Sequence, residues 1–241
     1  MSWPPMPWRW CSGSTATGEP LATLEATRNN TTGIYSVTAG TELADGTYTA
    51  RAVQSDALRS ARSAAATFTV DTAAPVADIT TTFTGGLSTS KSASISFTAT
   101  DANRSTVECD LDGNGFVACS SPKSLSGLAD GEHTFTIRVA DRAGNSSTDS
   151  VTWTVDATKP VVTITSPVAG ATLGTSSVTV TGTATESSSV TVSLSGKSDQ
   201  TATVSSGTWS ATFTGLPSGS YTAAAAQTDT AGNTGTSSSV T

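Results

Sequence analysis

Two cysteines, Cys109 and Cys119, have the spacing of a disulfide across a β-hairpin. The turn Asp112-Gly-Asn-Gly115 lies at the centre of the interval, so two antiparallel strands would bring the thiols side by side. Such a bond would contribute about 2–3 kcal/mol by restricting the unfolded chain, and it implies an oxidising, extracytoplasmic compartment. The alternative is a pair of reduced cysteines in a core.

Aspartates at the predicted domain junctions form a second group of candidates. Hard carboxylate oxygens from a linker, a loop and the next domain could together hold a structural Ca²⁺ ion and stiffen an array. The candidate ligands are Asp71, Asp141, Asp156 and Asp229, with Asp56 in a further loop of the same kind. The alternative is that each aspartate caps a turn with its own side chain.

A third acidic segment resembles only half of a calcium loop. Asp110-Leu-Asp112-Gly-Asn114-Gly115 fits the opening of a twelve-residue loop, but Ser121 stands at the position that needs a bidentate Glu. Asp-Gly-Asn-Gly is also a sufficient hairpin turn. The sequence favours the turn.

Composition excludes several functions. Only 13% of the 241 residues are charged, and the net charge of −7 argues against nucleic acid, whose binding depends on Lys and Arg. No apolar run approaches the 18 residues that cross a bilayer. One His and three Cys leave few catalytic or zinc sites within reach, and no motif marks a catalytic residue, so we predict that the chain is not an enzyme.

Three sequence markers recur at a nearly fixed period. Leu43-Ala-Asp-Gly returns as Leu128-Ala-Asp-Gly and as Leu216-Pro-Ser-Gly, 85 and then 88 residues later. Thr-Val-Asp71 recurs as Thr-Val-Asp156, and Asp141-Arg-Ala-Gly-Asn145 as Asp229-Thr-Ala-Gly-Asn233. A shared period of this length predicts a tandem array of similar domains.

Alternating apolar and polar residues predict strands throughout the array. Ile95–Ala99, His133–Val139, Val151–Val155 and Trp209–Phe213 show the pattern, with Thr or Ser on the outer face. About seven short strands in 85 residues, separated by Gly-containing turns, indicate an all-β fold of tandem immunoglobulin-like β-sandwiches. Trp153 and Trp209 alternate with apolar residues and are predicted to be core residues rather than sugar-binding platforms.

The single histidine has a structural role in this interpretation. Tyr48 and Tyr221 stand at the turn into the sixth strand, where such sandwiches carry a tyrosine that bonds back to the preceding loop. His133 takes that position in the middle repeat, and a ring nitrogen can make the same bond. A catalytic role would need a nucleophile or carboxylate converging on it.

The three markers resemble those of bacterial immunoglobulin-like repeats, which occur in secreted and surface-attached multidomain proteins. The resemblance covers the chain from about residue 14. It implies a non-enzymatic spacer or adhesin stalk, extracellular or on a bacterial cell surface, whose partners are neighbouring domains of a longer parent chain. The alternative is an accessory module of a secreted enzyme or adhesin that binds a cell-surface glycan or a host protein.

The markers also divide the chain. Residues 1–13 are rich in Trp and Pro, lack a signal-peptide pattern and are predicted to be an aberrant, disordered leader. Residues 14–72 are predicted to form an N-terminally truncated domain, and 73–158 a domain with the hairpin disulfide. Residues 159–241 are predicted to form a third domain that lacks the end of its final strand, since Val240-Thr241 stands where the middle repeat continues into Trp153-Thr-Val-Asp156.

Overall fold

The computed structural model describes residues 8–14, 20–26, 31–32, 34, 36–38, 42–55 and 60–241. The structure is 52% strand and only 2% helix, which confirms the predicted all-β class. The chain divides into two compact units. One comprises Met1–Val76 with Thr100–Thr106 and Val139–Ser147, and the other comprises Ala77–Ala99, Val107–Arg138 and Thr148–Thr241. The predicted domain boundaries stay predictions.

The N-terminal part of the chain forms one antiparallel sheet. Its strands are β1 Trp8–Ser14, β2 Pro20–Ala26, β3 Gly46–Ser55, β4 Ser60–Arg62 and β5 Ala66–Val70. Their order is β2-β1-β3-β4, and β5 also pairs with β3. The predicted disordered leader is wrong for residues 8–13, because β1 pairs with both β2 and β3. Trp8-Arg9-Trp10 has the strand period of two, and residues 1–7 lie outside the described part.

The middle sandwich follows the first linker, residues 71–75. Its strands are β6 Val76–Ile79, β7 Leu87–Ser88, β8 Ser92–Ile95, β9 Phe97–Thr100, β10 Arg104–Leu111, β11 Val117–Ala118, β12 Lys123–Ser126, β13 Gly131–Asp141 and β14 Ser146–Val155. One sheet has the order β11-β10-β13-β14-β7, in which β14 and β7 are parallel. The remaining four strands form two separate pairs, β12 with β8 and β6 with β9.

One predicted strand of this sandwich is divided in two. The segment Ile95–Ala99 was predicted as a single strand, but β8 pairs with β12 whereas β9 pairs with β6. Ser96 separates the two, and its backbone N–H and C=O bind Thr81 Oγ1 and the Thr80 amide instead. The alternation survives the break, because Ile95 and Phe97 are both buried.

The third sandwich follows the second linker, residues 156–161. It has two antiparallel sheets, ordered β15-β16-β19 and β18-β17-β20-β21. These strands are β15 Val162–Ser166, β16 Ser177–Ala184, β17 Val190–Leu194, β18 Gln200–Ala202, β19 Thr208–Thr214, β20 Ala223–Thr228 and β21 Thr234–Thr236. A separate bridge joins Ala223 to Val240. Within the described part of the chain, no helix is long and apolar enough to cross a membrane.

Each sandwich encloses its own tryptophan. Trp153 is 1% exposed and packs with Phe97, Phe135 and Ile137 in the middle core. Trp209 is 3% exposed and packs with Val180 and Val192 in the third. The prediction that both are core residues is confirmed.

The outer faces carry cross-strand pairs of threonine. The hydroxyls of Thr163 and Thr183 are 2.6 Å apart, and those of Thr179 and Thr212 are 3.0 Å apart. In the middle sandwich Thr134 and Thr152 make the same contact at 3.2 Å. Each β-branched side chain thus suits the pleat and pairs its hydroxyl with a neighbouring strand.

Candidate functional site

The Asp-x-Ala-Gly-Asn loops are the most regular side-chain arrangement near the linkers. In the first Asp-Asn loop, Asp141–Asn145, Asp141 Oδ1 accepts hydrogen bonds from the Gly144 and Asn145 amides at 2.7 and 2.9 Å. Asp141 Oδ2 accepts the Asn145 Nδ2 amide at 2.7 Å. The same Nδ2 donates to the backbone carbonyl of linker residue Asp71 at 2.9 Å. One short loop therefore folds on its own carboxylate and binds the linker.

The second Asp-Asn loop, Asp229–Asn233, repeats this geometry in the third sandwich. Asp229 Oδ1 accepts the Gly232 and Asn233 amides, both at 2.8 Å. Asn233 Nδ2 donates to Asp229 Oδ2 at 2.9 Å and to the carbonyl of linker residue Asp156 at 2.8 Å. The turn needs a glycine before the Asn, because Gly144 and Gly232 have φ of 103° and 101°, which side chains disfavour.

A different aspartate holds the next residues of each linker. Asp45, in the Leu-Ala-Asp-Gly turn of the first repeat, accepts the Thr72 amide at 2.9 Å and the Thr72 hydroxyl at 2.8 Å. Asp130, at the same place in the middle repeat, accepts the Ala157 amide at 3.2 Å and the Thr158 hydroxyl. Each linker is thus bound by the turn of the preceding repeat and the loop of the following one.

Hydrogen bonding keeps these carboxylates ionised. Burial raises the pKa of Asp141 and of Asp229, but the bonds from Asn145 and Asn233 and from the loop amides outweigh it, so both pKa values lie below 3.8. The Thr158 hydroxyl, helped by the Ala157 amide, lowers the pKa of Asp130 in the same way. All three therefore accept hydrogen bonds as carboxylates at neutral pH.

The predicted calcium ligands are brought together at the first linker. Carboxylate oxygens of Asp71, Asp101 and Asp141 lie within 4.8 Å of one another, a spacing that could suit a metal ion. Asp71 and Asp141 were predicted; Asp101 was not. These oxygens already accept N–H donors, including Asn103 Nδ2 on Asp71 at 2.7 Å. Calcium binding there stays a prediction.

The second linker is arranged differently. Asp156 and Asp229 meet through Asn233, which binds the carbonyl of the first and the carboxylate of the second. Of the described residues, Asp71, Asp101 and Asp141 alone form a group of three close metal-ligating side chains. Asp56, the remaining predicted candidate, lies outside the described residues.

The disulfide prediction is confirmed: Cys109 and Cys119 are bonded, with Cα atoms 5.8 Å apart. The intervening Asp112-Gly113 segment is a turn in which both residues have positive φ, as the sequence favoured. Asp110 and Asp112 both accept backbone hydrogen bonds. Asp110 Oδ1 accepts the Gly115 amide at 3.1 Å, and Asp112 Oδ1 accepts the Thr134 amide at 2.9 Å.

The predicted role of His133 is also confirmed. His133 Nε2 lies 2.9 Å from the Ala129 carbonyl, and Tyr48 and Tyr221 donate to the carbonyls four residues before them at 2.7 and 2.9 Å. His133 differs in a second contact, 2.8 Å from Nδ1 to Asp112 Oδ2. The bonds to Ala129 and Asp112 raise the pKa of His133 above 6.5, although burial opposes them.

Several of these residues belong to the recurring sequence markers, from which no linker contact was predicted. Asn145 and Asn233 were part of the Asp-x-Ala-Gly-Asn pattern, and Asp45 and Asp130 part of Leu-Ala-Asp-Gly, without an assigned contact. Their recurrence beside both linkers is the signal that could have identified them.

Two protein-family models match the middle and third sandwiches. Residues 76–157 match the model of the bacterial Ig-like domain, and residues 160–225 match that of the bacterial Ig domain. No curated protein matches the chain.

Among solved structures, a tetra-tandem repeat from the extending region of a large adhesion protein is 24% identical, with a TM-score of 0.36. The match covers 98% of this chain and 66% of that one. A bacterial ice-binding adhesin is 23% identical with a TM-score of 0.37, covering 100% and 87%. Drosophila N-cadherin EC1-4 is 15% identical with a TM-score of 0.37, covering 88% and 61%. By the two family models, residues 76–157 and 160–225 are bacterial immunoglobulin-like domains.

Proposed function

We propose that this chain is a spacer of a bacterial extracellular protein, a series of sandwiches that holds neighbouring domains at a set separation, as in an adhesin stalk. The observation that carries the proposal is that both linkers are bound on two sides. Asp45 and Asn145 bind the first linker, and Asp130 and Asn233 bind the second. A linker held in this way loses the freedom that would let adjacent sandwiches swing.

The disulfide supports a location outside the cytoplasm. Cys109–Cys119 is a bond that persists in oxidising compartments and is rare where thioredoxin and glutathione keep thiols reduced. We assign no catalytic role to the aspartates beside the linkers, because their carboxylates accept hydrogen bonds that hold the linker and loop backbone in place.

A glycan-binding role finds no support in the two central tryptophans. Stacking on a sugar needs an accessible aromatic ring, and Trp153 and Trp209 are 1% and 3% exposed. Both rings contribute to the cores instead.

The test is a measurement of the distance between two sandwiches by double electron–electron resonance. Spin labels would be attached at Ser94→Cys and Ser210→Cys, both exposed, in a Cys11→Ser background that keeps the native disulfide. We expect a narrow distance distribution for the parent protein.

Removing the contacts to the second linker should broaden that distribution. The variant carries Asp130→Ala with Asn233→Ala, which deletes the side chain that binds the linker on each side. Asn114→Ala is the matched control, because Asn114 binds the Leu111 carbonyl within the hairpin. A parent distribution as broad as that of the double variant would refute the spacer proposal.

A further inference from the structure

The turn that binds the second linker is itself bound by the single histidine of the chain. His133 is 8% exposed, and its Nε2 lies 2.9 Å from the carbonyl oxygen of Ala129. The next residue, Asp130, accepts hydrogen bonds from the Ala157 amide and the Thr158 hydroxyl of the linker. The imidazole therefore holds the turn, and the turn holds the linker.

The first linker has the same arrangement with a tyrosine in place of the histidine. The Tyr48 hydroxyl donates to the carbonyl of Ala44 at 2.7 Å. The next residue, Asp45, accepts the Thr72 amide at 2.9 Å and the Thr72 hydroxyl at 2.8 Å. A phenol donates its one hydrogen as a neutral group, whereas an imidazole changes its number of N–H donors when it gains or loses a proton. The first linker thus serves as an internal reference for the second.

The His133 ring lies between two acceptors. Its Nδ1 is 2.8 Å from Asp112 Oδ2, and its Nε2 faces the Ala129 carbonyl. A carboxylate and a backbone carbonyl only accept hydrogen bonds, so both contacts are hydrogen bonds only when both ring nitrogens carry a hydrogen. A neutral imidazole has a single N–H and must give up one of them.

The groups around the ring come from three elements. Asp112, in the hairpin turn, contacts the ring directly. Trp153, in β14, places an uncharged aromatic ring beside it, with centroids 5.7 Å apart. On the turn itself, Asp130 pairs with Lys91, whose Nζ is 3.5 Å from Asp130 Oδ1, and Glu132 of β13 is exposed to solvent. The charge that acts on the ring at contact distance is therefore negative and lies on the Nδ1 side.

This asymmetry decides which contact a neutral His133 keeps. A hydrogen bond to an ionised carboxylate is stronger than one to a neutral carbonyl, so the remaining hydrogen stays on Nδ1 and binds Asp112. The lone pair of Nε2 then faces the oxygen of Ala129, and two acceptors at hydrogen-bond distance repel each other. Loss of one proton therefore breaks the contact on the side of the linker.

We propose that His133 is a pH-dependent switch on the second linker. The doubly protonated ring fixes the turn at Ala129 and keeps Asp130 on the linker, whereas the neutral ring releases the turn and lets the middle and third sandwiches move more freely. The first linker does not respond, because Tyr48 binds its turn. This inference rests on the proposed spacer function, whose stiffness the switch would regulate.

The direction of the response follows from the contacts of His133. The bonds to Ala129 and Asp112 raise its pKa above 6.5, against the effect of burial. The turn is therefore held fully below pH 6.5 and is released as the pH rises through the folded value.

Nitrogen NMR of the imidazole tests the first step. Because the chain has a single histidine, the ring signals belong to His133 alone. We expect both nitrogens to be protonated at low pH and the neutral ring to carry its hydrogen on Nδ1. A neutral ring with its hydrogen on Nε2 would overturn the proposal, since the contact with Ala129 would then survive.

Amide exchange of the two linkers tests the second step. The Ala157 amide donates to Asp130 and the Thr72 amide to Asp45, so each reports on its own turn. Between pH 6 and 8, after correction for intrinsic exchange, the protection of Ala157 should fall about fivefold, as for the loss of one hydrogen bond, and that of Thr72 should stay constant. His133→Tyr should abolish the fall. Constant protection of Ala157 in the parent protein, or a fall that persists in the variant, would overturn the switch.

The spin-label pair Ser94→Cys with Ser210→Cys separates this inference from the spacer proposal itself. The parent protein should give a narrow distance distribution at pH 6 and a broader one at pH 8, and His133→Tyr a narrow one at both. A distribution that is narrow at both pH values in the parent would overturn the switch and leave the spacer intact. A distribution already broad at pH 6 would refute the spacer and the switch together.

Discussion

The middle and third sandwiches hold their linkers in the same way but fill their cores differently. The bonds from Asn145 and Asn233 to the preceding linker carbonyl are 2.9 and 2.8 Å long, and each Asn also binds the Asp at the start of its loop. The cores share neither the position of the tryptophan nor the disulfide. The linker contacts thus fix one local geometry, whereas a core needs only suitable volume and polarity.

The largest effect should come from the tryptophans. Trp153→Ala is expected to lower the free energy of unfolding of the middle sandwich by about 3–5 kcal/mol, and Trp209→Ala that of the third by a similar amount. Hydrogen exchange resolved by peptide would measure each sandwich separately.

Phenylalanine substitutions should separate the two sites. Trp209 Nε1 donates to the Thr183 carbonyl at 3.1 Å, whereas the buried Trp153 Nε1 has no hydrogen-bond partner among the described residues. Trp153→Phe should therefore be less destabilising than Trp209→Phe, by about 1 kcal/mol. Equal losses would show that the indole N–H groups do not distinguish the two cores.

Reduction should act on one sandwich alone. Breaking Cys109–Cys119 restores the freedom of a short loop in the unfolded chain and should lower the stability of the middle sandwich by about 2–3 kcal/mol. The third sandwich serves as the internal control in the same sample, since it contains no cysteine. A comparable fall in the third sandwich would contradict this account.

The linker contacts should respond equally in the two sandwiches. Asn145→Ala and Asn233→Ala each remove a bond to a carbonyl and a bond to a carboxylate, so we expect each to cost about 2 kcal/mol in local stability. Amide exchange of the linker residues measures this. Losses that differ by more than a factor of two would break the equivalence of the two loops.

A smaller effect should follow pH in the middle sandwich. The pKa of His133 is raised, so its stabilisation is complete below its ordinary value of 6.5 and is lost as pH rises through the folded value. Burial raises the pKa of Asp112, but the hydrogen bonds with His133 and Thr134 outweigh burial, so the pKa lies below 3.8. The stabilisation from Asp112 is therefore present above pH 3.8 and is lost in acid.

The middle sandwich should therefore lose stability relative to the third as the pH rises above 6.5. His133→Tyr is the matched variant, because Tyr48 and Tyr221 make the same loop bond with a hydroxyl in place of an imidazole nitrogen. Melting curves at pH 6 and 8 test the difference. A shift that persists in His133→Tyr would assign it to another group.

The smallest effect concerns the predicted calcium site. If Asp71, Asp101 and Asp141 bind Ca²⁺, millimolar calcium should raise the melting temperature and EDTA should reverse the change. Asp101→Asn should abolish the response, and Glu186→Gln, at the corresponding place in the third sandwich, should preserve it. A melt that calcium does not alter would contradict the prediction.

The sequence predicted those features that depend on local pattern and on the repeat. Alternation identified Ile95, Phe97, Trp153 and Trp209 as core residues, and the interval between Cys109 and Cys119 predicted their bond. Position within the repeat was enough to assign the loop bond of His133.

Features that depend on distant contacts were not predictable in this way. The bond from Asn145 to the carbonyl of Asp71 joins residues 74 positions apart, and only the folded chain brings Asp101 beside them. The pairing of β1 was missed because Trp and Pro composition was taken as the sign of a foreign end. The break at Ser96 was missed because alternation does not reveal which neighbour a strand selects.

The threonine pairs on the outer faces have a consequence for the surroundings in which the protein works. A hydroxyl pair such as Thr163 with Thr183 carries no net charge, so dissolved ions do not screen it as they screen exposed ion pairs. These cross-strand contacts should keep their strength from fresh water to brine. In the extracellular location that we propose, such a surface keeps its cross-strand contacts as the salinity changes.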